Sequence, residues 1–85
     1  MRPYDVLKRA GEFSGVSMSR VSLALGHPRA YVSSGESRGS VPRVDTYAAM
    51  LGVCGYALCA VPVDDVPDSA LVIDAEQDTK PEPLS

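Results

Sequence analysis

The stretch Val16 to Glu36, VSMSRVSLALGHPRAYVSSGE, constrains this chain more than any other, because two short apolar periodicities flank a turn too tight for ordinary helix packing. Ser17 is suited to cap a helix whose buried face is Val21 and Leu25, one turn apart, with Val16 placed to fold back as a hydrophobic staple. Gly26 ends that helix, since glycine enters the left-handed conformation that turns a chain sharply. Pro28 then suits the first position of a second helix, where its missing N–H would have no intrahelical partner. This second helix is predicted over Pro28 to Glu36, with Val32 as its apolar anchor and Arg29, Ala30, Ser33 and Ser34 on an exposed face.

The rest of the chain reads as support for this unit. Tyr4 to Ser14 is predicted as a first helix, with Leu7 and Ala10 inward, Lys8, Arg9 and Glu12 outward, and Phe13 packing near its end. Gly11 weakens that helix by about 1 kcal/mol relative to alanine. After Pro42 resets the chain, Val44, Tyr47, Ala48, Leu51 and Cys54 form the apolar stripe of a fourth helix, joined by Met50 and ended by Gly55. Beyond Tyr56 the period changes. Ala57-Leu58-Cys59-Ala60-Val61 and Ala70-Leu71-Val72-Ile73 read as strands around the turn-forming stretch Pro62 to Ser69. The organisation expected is therefore a helical domain over 1–56, a β-hairpin over 57–74 and a disordered acidic tail over 75–85. A two-stranded hairpin alone is marginal in water, so this one is expected to pack on the helices or pair in a dimer. Its apolar residues Leu58, Cys59, Val61, Leu71, Val72 and Ile73 are the candidate dimer interface.

Eighty-five residues bury only a modest core, and pairing with a second copy is a natural source of extra stability. The net charge of −3 hides an asymmetry: residues 1–61 carry seven basic side chains against four acidic ones, and residues 62–85 one against seven. A low isoelectric point therefore does not exclude nucleic acid. Cys54 and Cys59, with His27 as the lone histidine, make no zinc site and are read as reduced core or interface thiols. With one histidine, no glycine-rich phosphate loop and no paired carboxylates on an ordered segment, the chain offers little for catalysis, and neither an enzyme nor a cofactor is expected. Apolar runs too short to span a bilayer and an amphipathic start point to a cytoplasmic protein with no membrane partner.

In its order of features the chain resembles the Cro/CI-type (XRE-like) helix-turn-helix family of phage and bacterial regulators, which includes antitoxin-like members. The resemblance rests on Val16-Ser17 opening the first motif helix, Val21 and Leu25 within it, Gly26 at the turn, and Val32 and Glu36 in the second. It extends to Pro42-Arg43-Val44-Asp45-Thr46, similar to the family's approach to its fourth helix, and to Gly55-Tyr56 at that helix's end. Gly35, Ser22 and Leu23 depart from the family's usual large aliphatic, alanine and polar residues, and Gly11 stands where an arginine often pairs with the glutamate at Glu36.

The fold implied is mainly α, a four-helix lambda-repressor-like domain carrying the hairpin and tail described above. The function implied is transcription regulation, with repression the simplest mechanism, by a homodimer that binds a roughly palindromic double-stranded operator with residues 28–36 in the major groove. The family's base-reading positions fall on Arg29, Ala30, Ser33 and Ser34, of which Arg29 can make two bonds to guanine. Backbone contacts are expected from Ser17, Ser19, Arg20, Arg38, Ser40 and Arg43, while Tyr31 either packs or reaches a phosphate. The rival reading is a protein-interaction module on the same fold, an antitoxin or inhibitor that binds a partner such as a toxin.

Overall fold

The computed structural model describes residues 1–73, which form four helices, α1 (Pro3–Ser14), α2 (Met18–Ala24), α3 (Tyr31–Ser37) and α4 (Val44–Val53), followed by an irregular arm. Pro3 and Asp5 lie in the first turn of α1, where a missing N–H is harmless and a negative charge meets the positive end of the helix dipole. The inward face of α1 is Val6, Leu7, Ala10 and Gly11.

Ser17 caps α2 as its sequence indicated, with Oγ accepting the Arg20 N–H at 3.1 Å. The helix closes through Gly26 at φ 80°, with His27 N–H donating to the Ser22 carbonyl and Gly26 N–H to the Leu23 carbonyl, both at 3.0 Å. The same paired closure follows α1, α3 and α4 at Gly15, Gly39 and Gly55. Helices of seven residues are too short to persist alone, so α2 and α3 depend on what they bury. Val21 and Val32, both fully buried, meet Leu7, Ala10, Met50 and Leu51 in one core. A fully buried aliphatic side chain of this kind contributes about 1.5–3 kcal/mol. Leu25, expected on the buried face of α2, is half-buried and packs at the edge of that core.

Several expectations are corrected. The second motif helix starts at Tyr31, not Pro28, because the Pro28 carbonyl accepts the Tyr31 N–H at 2.9 Å and Ala30, at φ −87° and ψ 8°, completes a type I turn. Val44 is 74% exposed, although periodicity puts it on the buried stripe. The Tyr47 hydroxyl already donates to the Pro3 carbonyl, at the first residue of α1, so the turn before Tyr47 has no helix to pack against. Phe13 is also exposed, at 64%, with the Arg9 guanidinium over its ring at 5.9 Å.

The hairpin over 57–74 does not form among the described residues. Pro62 heads a single 3-10 turn, Val63–Asp65, and Pro67 a further turn closed by the Ala70 N–H. Two prolines each remove a donor and bend the connection, and a ladder of two strands alone is marginal in water. The arm instead returns to the body at Leu71, which packs against the core, and at Val72, whose carbonyl accepts from the Met1 amino group at 3.4 Å. The tail expected over 75–85 lies outside the described residues. No described helix is long and apolar enough to cross a membrane.

Candidate nucleic-acid interface

Position on α3 decides which side chains a partner could touch. Val32 and Gly35, three residues apart, are the buried edge. One turn round the helix, Ala30, Ser33 and Ser37 are exposed and Ser34 is half-exposed, giving an outer stripe of alanine and serine. Ala30, Ser33 and Ser34 were expected there. Ser37 joins them because α3 runs one residue past Glu36, where the sequence pattern ends it; its spacing of four from Ser33 is the signal that finds it. Arg29 precedes the helix, in the turn, and is exposed.

Of the basic residues expected on the DNA backbone, Arg20 and Arg38 are exposed and, like Arg29, make no ion pair among the described residues. Arg43 is exposed but engaged, with its guanidinium 3.2 Å from an Asp45 carboxylate oxygen. The expected Ser40 hydroxyl is committed within the chain, its Oγ donating to the Gly35 carbonyl at 2.9 Å, while at Ser17 the expected contact is a backbone amide at the start of α2, which the side chain caps. Ser19 is exposed. Tyr31 is half-buried and stacks flat on His27, ring centroids 3.7 Å apart and planes 7° from parallel.

Three of the departures noted in the sequence acquire reasons. Lys8, one turn before Gly11, supplies the cation for Glu36: Nζ lies 2.7 Å from the carboxylate and joins α1 to α3. The hydrogen bond to Glu36, opposed by slight desolvation, raises the Lys8 pKa. As a half-exposed pair it contributes at most about 1 kcal/mol. Gly35 is buried, and a Cβ there would stand 2.5 Å from the Tyr4 hydroxyl; the Tyr4 side chain fills the volume an aliphatic residue would take. Ser22 is fully buried and bonded on both sides, Oγ donating to the Met18 carbonyl at 2.9 Å and accepting the Val32 N–H at 3.1 Å. The fourth, Leu23, is half-exposed on α2.

In the arm, Leu58, Val61, Val72 and Ile73 are each 38–49% exposed and Cys59 is exposed, whereas Leu71 faces its own core. The backbone N–H groups of residues 57–61 make no hydrogen bond among the described residues. Between arm and body lies an apolar cleft of about 630 Å³, lined by residues that include Val6, Leu51, Tyr56, Leu58, Val61 and Leu71. Compared with family models, curated proteins and solved structures, the chain finds no match.

Proposed function

We propose that this chain is a sequence-specific DNA-binding regulator of the Cro/CI helix-turn-helix type, acting as a repressor and binding a roughly palindromic operator as a homodimer. The observation that carries the reading is the α2–turn–α3 unit, two seven-residue helices around a glycine turn with a small polar outer stripe on α3 and arginines at positions 20, 29 and 38 that make no ion pair among the described residues. A helix with a short-side-chain face can approach base edges closely, and free guanidinium groups beside it can meet phosphates or guanine. Backbone N–H groups at 57–61 that make no hydrogen bond among the described residues, beside exposed Leu58 and Val61, support the arm as the surface through which two copies associate. The alternative, an antitoxin-like or inhibitory module that binds a protein, keeps one observation in its favour: Leu23 and Phe13 present large apolar side chains on the helical body, 50% and 64% exposed.

The test is footprinting of the full chain on duplexes selected from a random pool, across a salt series. The DNA reading expects a symmetric protected site whose affinity falls steeply with salt. In Arg29→Ala, discrimination at one base pair per half-site should drop by about 1–3 kcal/mol. Weak binding that is uniform over sequence would instead favour the protein-partner reading.

A further inference from the structure

The first turn of α3 is capped from a different helix. Its own N-cap position is Ala30, which has no side-chain acceptor to offer. The N–H of Val32, two residues on, is one of the two that a capping serine or aspartate at position 30 would take. Ser22 Oγ takes it instead, across ten residues of sequence, from a fully buried site on α2. The hydroxyl is itself held by donation to the Met18 carbonyl. Through its carbonyl the same residue accepts the His27 N–H, and His27 carries the stacked Tyr31 that begins α3. One residue thus ties the turn and the start of α3 to α2.

We infer that Ser22 is the positioning residue of the candidate interface, fixing the rotation and axial register of α3 on α2 and so the places of Ala30, Ser33, Ser34 and Ser37 against DNA. This role rests on the DNA-binding reading above. The physical reason is direction. Val21 and Val32 hold the two helices together through contacts that are nearly indifferent to a small rotation of α3, whereas a hydrogen bond to one backbone N–H is not. Alanine at position 22 would leave that buried N–H without an acceptor, and α3 would fray or turn until the N–H found one.

The experiment uses the full chain as wild type, Ser22→Ala, Ser22→Cys and Val6→Ala, the last a core truncation on α1 away from α3. Amide hydrogen exchange reads the cap, and the ratio of affinities for the selected and a scrambled duplex, at a temperature where circular dichroism shows each variant folded, reads the positioning. In Ser22→Ala the Val32 N–H is expected to exchange about three- to tenfold faster with the Leu51 N–H unchanged, and the affinity ratio to fall by a similar factor. Ser22→Cys, a weaker donor and acceptor of nearly the same shape, should fall between; it carries the test if the alanine variant does not fold. Val6→Ala should lose stability and keep the wild-type ratio. A folded Ser22 variant with wild-type Val32 exchange, or with a wild-type affinity ratio, overturns the role. A wild-type chain that selects no sequence from the pool overturns the DNA reading and this role with it.

Discussion

Gly35 and Tyr4 share one space, and neither can be understood without the other. A methyl on Gly35 would sit 2.5 Å from the Tyr4 hydroxyl and 3.4 Å from Ser40 Oγ. Gly35→Ala should therefore cost about 1–3 kcal/mol through overpacking, despite alanine's better helix propensity. Removing the hydroxyl with Tyr4→Phe should recover most of that loss. Urea denaturation of the two single variants and the double variant measures the coupling, and additive losses would show that the two residues do not compete. Tyr47 supplies a pH-dependent test. Burial pushes its phenol up to about 12. A group whose folded pKa is raised lends stability that is whole below its unfolded value, near 10, and is lost as pH climbs from there through 12. Lys8, raised by its bond to Glu36, and Cys54, raised by burial against a smaller opposing effect from the Ser14 hydroxyl, lose stability in the same alkaline direction. Tyr47→Phe should thus cost about 1 kcal/mol at pH 7, from the lost bond to Pro3, and flatten the alkaline fall without abolishing it. Stability curves at pH 7 and from pH 9 to 12 decide this, and an unchanged alkaline slope would count against a buried phenol.

At the scale of elements, the α1–α2 junction sets propensity against packing. Gly11→Ala should stabilise α1 by about 1 kcal/mol on propensity alone. The added Cβ, however, would meet the Val16 carbonyl oxygen at 2.5 Å, and the Val16 N–H is tied to the Gly11 carbonyl at 2.9 Å, so the backbone has little room to yield. A net loss in denaturation midpoint is expected; a gain would show the junction to be slack. What could be read from sequence divides along the same line. The Ser17 cap and the Gly26 turn were legible because each is written in one residue's own chemistry. The start of α3 was not, since Pro28 is as well suited to opening a turn as to opening a helix, and the acceptor of the Tyr31 N–H decides between them. Val44 was misplaced because its burial depends on where α1 begins. The bond from Ser22 to Val32 joins residues whose proximity no local pattern records. The two runs of the arm carry strand propensity, which makes no ladder without support from a further element.

The whole molecule is a helical body with its positive charge in residues 1–61 and an arm whose described part adds three aspartates and exposed aliphatics. If two copies associate through the arm, Val61→Asp should shift sedimentation equilibrium to the monomer and weaken operator binding by more than tenfold, while circular dichroism keeps its helical signal. A dimer that persists in this variant would move the interface elsewhere. The arm meets the core at Tyr56 and again at Leu71, and residues 57–65 between them are exposed. It is in effect a ring closed by two side chains, and the entropy of closing a ring rises only with the logarithm of its length, about 0.6 kcal/mol for each doubling. Inserted sequence is therefore tolerated more cheaply here than within the helices, which makes the span between Tyr56 and Leu71 the place where a chain of this plan can lengthen without disturbing the turn on which the rest is built.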